Sequence, residues 1–269
     1  MCIRDRDDAG SAPQGTTITG NLLSNDLDVD GDALTVTTFQ VDTDGDGTPD
    51  TVTEGGPAVD VYDSSGIKAG TLTVSTTGDY TFVPDANFSG PVPTITYNIQ
   101  DPTGTTSSAD LQLYLAFVNQ VPVADDDSLS MLEDTVLDFA LKASDPDLTN
   151  PDPTVTESLD VFTITSVPAA AAGTLLAPRL DGAGNPTGTY LPVSAGDVLN
   201  ALQSQLLRFE PVTDFVGVVE VEFKVADAYW GESQPAKVTI TVGNVNDAPV
   251  ASDDNVCLLL TSEAADERT

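Results

Sequence analysis

The chain contains no histidine, and its two cysteines, Cys2 and Cys257, stand near its ends. Without histidine the commonest general base is missing, and so are the Ser-His and Cys-His pairings of nucleophilic catalysis. Without internal cysteine a disulfide framework and thiolate-ligated zinc are excluded. Cations are scarce as well, with nine Lys and Arg against 43 Asp and Glu for a formal charge of -34. Such a surface repels phosphate backbones and anionic headgroups, so nucleic acid is not an expected partner. Long apolar runs are also missing. The stretch 169–176 is broken by Gly173 and closed by Pro178, far short of the roughly 20 residues that span a bilayer, so no membrane insertion is expected.

The first residues, MCIRDR, and the last, CLLLTSEAADERT, resemble translated sequencing-library adapters. Residues 1–6 and 257–269 are therefore set aside as probable artefact. What remains has six cations against 39 acids and lacks cysteine entirely.

What is present is a repeat. Phe82-x-Pro84-x-x-x-Phe88-x-Gly90 returns 127 residues later as Phe209-x-Pro211-x-x-x-Phe215-x-Gly217, and Asn119-x-x-Pro122-Val-Ala returns as Asn246-x-x-Pro249-Val-Ala. A fixed long period means one folding unit copied in tandem, which supplies length and spacing more readily than a catalytic centre. The period divides the chain into units at 7–122 and 123–249, with 250–256 as the start of a third. Alternating apolar and polar runs predict strands at 33–39, 70–75, 79–83, 94–100 and 109–118, and again at 135–141, 159–166, 173–176, 206–210, 218–226 and 237–242. Many short strands between Gly, Pro and Asp turns indicate an all-β chain of tandem antiparallel β-sandwiches. One helix is expected at 195–206, capped by Asp197, with Val198, Leu199, Leu202 and Leu206 on one face. The repeated Phe-Pro-Phe-Gly segment reads as a core-filling turn.

The acids are clustered, as a hard cation requires. Asp26, Asp28, Asp30 and Asp32 form one group, and Asp42, Asp44, Asp46 and Asp50 another. In the second, Asp42-x-Asp44-x-Asp46-Gly47 places oxygens at positions one, three and five with glycine at six, as in an EF-hand loop, and Asp50 at nine. The twelfth position is Thr53, which cannot be the bidentate ligand, so the loop is closer to the short Asp-rich calcium loops of thrombospondin type 3 repeats, and a merely solvated turn is the alternative. Other acids and asparagines gather near the unit boundaries: Asp101, Asn119, Asp125, Asp126, Asp127, Glu133, Asp134, Asp145 and Asp147 at the first, and Asp227, Asn244, Asn246 and Asp247 at the second.

Five segments, GNLLSNDLDVDGDALTV from Gly20, GDYTFVPDANFSG from Gly78, LEDT from Leu132, ASDPD from Ala143 and VNDAPVASDD from Val245, resemble the cadherin-like and Ig-like tandem repeats of large bacterial surface adhesins of the repeats-in-toxin and VCBS types. The resemblance implies two tandem Ig-like/cadherin-like sandwiches stiffened by Ca2+ at their junctions, in a secreted or cell-surface adhesin. Its partners would be neighbouring repeats of the same chain, with surface glycans or other adhesins as contacts. It also implies that Glu133, Asp145 and Asp147, with Asp101 and Asn119 of the first unit, share one calcium junction, and that Asp227, Asn244, Asn246 and Asp247 serve a third unit. The first linker departs from the pattern, with Gln120 where the second has Asp247. Halophilic surface acidity without a specific ion is the competing account of all these acids.

No Gly-x-Ser-x-Gly, P-loop or His-based zinc motif occurs, and Ser65-Gly-Ile-Lys68 lies in a turn that cannot hold the lysine in place. The expectation is a non-enzymatic segment. Tyr229-Trp230-Gly231 sits at a hairpin tip, where Trp230 is expected to fold back over the sandwich edge; exposed, it would offer a stacking face to a sugar and favour a carbohydrate-binding or accessory module of a polysaccharide-active enzyme.

Overall fold

The computed structural model describes residues 3–159 and 161–246. Its first half is built from β1 (Ile3–Arg4), β2 (Asp8–Pro13), β3 (Ile18–Asn21), β4 (Leu27–Asp28), β5 (Thr35–Val41), β6 (Asp50–Thr53), β7 (Val59–Tyr62), β8 (Lys68–Val74), β9 (Asp79–Pro84), β10 (Gly90–Pro91), β11 (Ile95–Gln100) and β12 (Thr106–Ala116). Two sheets face each other, one containing β5, β6, β10, β11 and β12 with β2 added parallel to β12, the other ordered β3-β9-β8-β7. Alternation puts one side of each strand inward, so Phe39, Leu72, Phe82, Tyr97, Leu111 and Leu115 fill the space between the sheets.

The second half repeats the plan with β13 (Val123–Asp125), β14 (Asp127–Leu132), β15 (Leu137–Phe139), β16 (Lys142–Ser144), β17 (Val161–Ser166), β18 (Gly173–Leu180), β19 (Pro186–Pro192), β20 (Val198–Leu199), β21 (Leu207–Pro211), β22 (Gly217–Ala226) and β23 (Ala236–Gly243). Its sheets run β14-β23-β22-β17-β20 and β15-β21-β18-β19 around a separate core that includes Ile164, Phe209, Val221 and Phe223. The shared skeleton is explicit in the register: β14 lies parallel to β23 as β2 does to β12, with Asp127 opposite Val238 where Asp8 is opposite Leu111. The fold is thus two tandem Ig-like β-sandwiches, each with its own additions.

The recurring turn does what its sequence suggests. Phe82, Phe88 and Phe209 are buried and Phe215 packs partly against the second core. The amide of Phe88 donates to Asp85 O at 3.1 Å and that of Phe215 to Val212 O at 3.0 Å, closing the same turn twice. A glycine faces each first phenylalanine from the neighbouring strand. A Cβ on Gly70 would lie 2.7 Å from the Phe82 ring and one on Gly173 2.6 Å from the Phe209 ring, so both positions exclude a side chain.

The expected helix at 195–206 is not formed as such. Ser194 to Asp197 makes a turn, with the Ser194 amide donating to Asp197 Oδ2 at 2.8 Å, and Val198–Leu199 becomes β20 against β17. Only α1 (Ala201–Ser204) is helical, with Asn200 as its cap in a reciprocal bond with Gln203. The residues assigned to one face do not share a core, because Leu199 is buried while Val198 is exposed. Lys68, of the Ser-x-x-Lys match, pairs with Asp60 at 2.8 Å. No helix among the described residues is long and apolar enough to cross a membrane.

Candidate metal centre

Where the first sandwich hands over to the second, the linker and three loops converge. Asp145 follows β16, Glu157 comes from the loop before β17, Asp227 begins the β22–β23 hairpin, and Asn119 belongs to the linker after β12. Oxygens of Asp145, Glu157 and Asp227 all lie within 4.8 Å of one another. Asn119 Nδ2 donates to Asp227 Oδ2 at 2.9 Å, which brings the linker into the group.

Local backbone geometry holds each carboxylate. Asp145 Oδ1 accepts from the Asp147 amide at 2.8 Å. Asp227 Oδ1 accepts from the Tyr229 and Gly231 amides at 2.8 and 2.7 Å, closing the hairpin tip. Glu157 Oε1 accepts from the Ser158 and Ala228 amides, both at 3.0 Å. One oxygen of each of three members remains: Asp145 Oδ2, Glu157 Oε2 and Asn119 Oδ1 are buried without a hydrogen-bond partner. Burial raises the Asp145 pKa above its ordinary value, opposed by the Asp147 amide, and the charges of Glu157, Asp147 and Asp227 push it further up. None of the ion pairs among the described residues reaches this cluster.

This donor set fits a hard divalent cation. Calcium takes oxygen ligands at about 2.3–2.6 Å, so two oxygens on one ion are at most about 5 Å apart, and the cluster already meets that limit. Three carboxylates and an amide carbonyl would hold the ion, which would pair the orphaned oxygens and offset the mutual repulsion.

The other expected residues are placed as follows. Asp147 is buried beside the cluster, but its carboxylate accepts from the Gln120 amide and, at 3.2 Å, from Gln120 Nε2. Asp227 belongs to the first junction and not to a third unit. Glu133 is a correction in the opposite sense. Six residues of β14, at about 3.3 Å each, carry the chain to the far end of the second sandwich, where Glu133 Oε1 accepts from Asn244 Nδ2 at 2.7 Å and the Val245 amide at 2.6 Å. Asp134, at φ 59°, accepts from the Asp214 amide at that same far end. Asn246 follows there in the chain, while Asp247 lies outside the described residues.

In the first sandwich, Asp28 and Asp101 occupy the positions of Asp145 and Asp227. Asp28 Oδ1 accepts from the Asp30 amide at 2.8 Å, and Asp101 Oδ1 from the Thr103 and Thr105 amides at 2.8 and 2.9 Å. Each has its second oxygen buried without a partner. Asp32 donates its amide to Asp28 Oδ1 at 3.5 Å, at the other end of the first unit from the junction. The Asp42–Asp50 loop gathers Asp42, Asp44 and Asp50 within 4.8 Å, whereas Asp46 turns to the Thr48 amide at 2.8 Å. Asp42 already accepts from Gly45 and Gly47, both at 2.7 Å, so this loop satisfies its central carboxylate from its own backbone. Glu157 was not among the expected ligands. Its only sequence signal is an acid in a Pro- and Thr-rich loop ahead of a strand.

Trp230 reverses the expectation of burial. It is 83% exposed at φ 69°, while Tyr229, also exposed, packs its ring against Phe117 with centroids 5.2 Å apart.

The architecture and site define an all-β protein of tandem Ig-like sandwiches with an acidic junction. Residues 3–113 match the family profile described as a bacterial Ig domain. No curated protein matches the chain. Among solved structures, the EC1-2 fragment of human mucin-like protocadherin is 12% identical over 91% of this chain and 99% of that one, at a TM-score of 0.46. Drosophila N-cadherin EC1-4 is 12% identical over 88% of this chain at a TM-score of 0.41, and this chain spans 49% of its length. An endo-fucoidan hydrolase of glycoside hydrolase family 107 is 13% identical over 90% of this chain and 28% of that one, at a TM-score of 0.28.

Proposed function

We propose that the chain is a non-enzymatic, calcium-stabilised spacer from a secreted or surface-displayed bacterial adhesin of the repeats-in-toxin or VCBS type, with sandwich units at 7–122 and 123–249. The observation that carries this reading is the group of Asp145, Glu157 and Asp227 beside Asn119, with three buried oxygens lacking partners at the point where two tandem units meet. A cation there ties a loop, a hairpin and the linker together and so limits motion at the joint. The bacterial Ig domain match over residues 3–113 supports the bacterial, modular context.

At extracellular-type affinities of about 0.1–1 mM, calcium at a hundred times its dissociation constant adds about 2.7 kcal/mol of stability. Calcium therefore raises the melting temperature of the full chain, and Asp145→Asn removes most of that increment. Equal melting of the wild type with calcium and with chelator contradicts the reading.

A second reading draws on the exposure of Trp230. An indole held out on a hairpin tip offers a flat stacking face for a sugar ring, as in a carbohydrate-binding accessory module. Glycan-array binding abolished by Trp230→Ala favours it, and absence of binding by the wild type rejects it.

A further inference from the structure

The two sandwiches end differently, and the register shows where. The Gln14 amide donates to Ala116 O at 2.8 Å as that of Glu133 does to Gly243 O at 2.9 Å. Gln14 Oε1 accepts from the Val118 amide at 3.2 Å as Glu133 Oε1 accepts from Val245 at 2.6 Å. Gln14 and Glu133 are therefore the same position. The next residues, Gly15 and Asp134, share positive φ angles of 72° and 59°. Asn87 and Asp214 each precede the second phenylalanine of the repeated turn, and Gln120 and Asp247 follow the linker asparagines. Three acids at the exit end of the second unit, Glu133, Asp134 and Asp214, thus correspond to Gln14, Gly15 and Asn87 in the first, and in sequence Asp247 corresponds to Gln120. Gln14 and Asn87 are the amides of the same shape as the acids they replace.

Asn87 and Gln120 face the second unit, while Gln14 bonds to Ala86 O and the Val118 amide within the first. The backbone and side chain of Gln120 both donate to Asp147. Asn87 Nδ2 donates to Pro146 O at 3.3 Å, and Ser89 Oγ donates to Asn150 Oδ1 at 3.0 Å. Phe117, at the position of Asn244, packs on Tyr229. An acidic exit face meeting the acidic loop of Asp145, Asp147 and Asp152 would need cations between them. An amide face meets it directly, since N–H donors supply the positive ends.

We propose that the joint between the two units is closed by direct hydrogen bonds from Gln120, Asn87 and Ser89 to the 146–150 loop of the second unit in place of a cation layer, so that the units stay docked when divalent metal is removed. The proposal rests on the preceding reading only in leaving a single cation, at Asp145, Glu157, Asp227 and Asn119, at this joint. That ion stabilises the loops of the second unit but is not required for docking.

The test is small-angle X-ray scattering of the full chain in calcium and in chelator, for the wild type, for Gln120→Asp, and for Gln14→Glu/Asn87→Asp/Gln120→Asp. These substitutions install the residues of the second unit at half-buried positions, and circular dichroism in calcium checks folding. The wild type keeps one radius of gyration in both conditions. The triple variant matches it in calcium and expands in chelator, and Gln120→Asp, which sets a carboxylate against Asp147, expands in part. A wild type that expands in chelator, or a triple variant that stays compact there, overturns the proposal. Terbium binding by the wild type is followed in parallel. A wild type that binds no terbium yet stays docked, with a triple variant that opens, upholds this inference while rejecting the calcium reading. A wild type that binds terbium and opens in chelator does the reverse.

Discussion

Individual carboxylates in this chain differ by what surrounds them. Asp145 is legible because an Asp-x-Asp after a short strand puts an oxygen where a backbone amide orients it, whereas Asp227, expected to serve a third unit, is brought to Asn119 by the β22–β23 hairpin. Glu157 is not legible, because its place depends on how the loop before β17 returns to the joint. Glu133 lies at the far end, with Asn244 and Val245, because β14 carries it there, a length that closeness in sequence to the linker hides. Away from the joint, Tyr97 donates to Asp8 Oδ2 at 2.8 Å inside a group that also includes Asp5 and Asp26. Burial, with added repulsion from Asp5 and Asp7, raises the Asp8 pKa above its ordinary 3.8 despite that bond. Burial and the charges of Asp5 and Asp8 push Asp26 to about 6. A carboxyl with a raised value holds its proton more tightly in the folded chain, so its contribution to stability falls as pH rises from the ordinary range through the raised value. Asp8→Asn therefore melts above the wild type at pH 7, with the gap closing toward pH 4 as Asp8 protonates. A gap that widens on acidification shows the sign to be wrong.

At the scale of elements, the repeated turn and most strands could be read from alternation, since a period of two with β-branched and aromatic residues has few other solutions. Expected strands at 79–83 and 94–100 became β9 and β11 with bounds shifted by a residue at one end. β2, parallel to β12, gives no strand signal because its residues are polar or small, and β14, parallel to β23, offers only the short alternation of Leu129 and Met131 between serines. The 195–206 segment shows the limit of periodicity. A helical spacing of apolar residues was broken by Gly196 and by pairing with β17, and the cap fell to Asn200. The glycines opposite the repeated phenylalanines were also hidden. Gly70 reaches Phe82 through one hairpin, while Gly173 reaches Phe209 past β19, β20 and α1, so no fixed spacing marks them. Gly70→Ala and Gly173→Ala each drive a methyl into a buried ring and a backbone carbonyl. A loss of about 1–3 kcal/mol is expected for each in urea unfolding, as for overpacked cores, and unchanged midpoints reject the close approach as a determinant of stability.

The molecule as a whole is two cores and a joint, with the charge imbalance concentrated in loops instead of the sheets. The repeat made the scaffold plain in the sequence, whereas the joint needed the register, because only alignment through hydrogen bonds reveals Gln14 as the partner position of Glu133. The tandem plan also explains why the acids are tolerated. Each unit has an apolar interior large enough to fold, leaving its loop ends free to carry clustered charge. The central claim is that Asp145, Glu157, Asp227 and Asn119 hold a divalent cation, and the chain supplies its own reporter. Its one tryptophan, Trp230, lies three residues from Asp227 on the same hairpin. Terbium luminescence excited through that indole measures occupancy most directly. The wild type should show saturable emission that calcium displaces, and Asp145→Asn should lose most of it while remaining folded. Equal emission from the wild type and Asp145→Asn, or none from the wild type, would contradict the account.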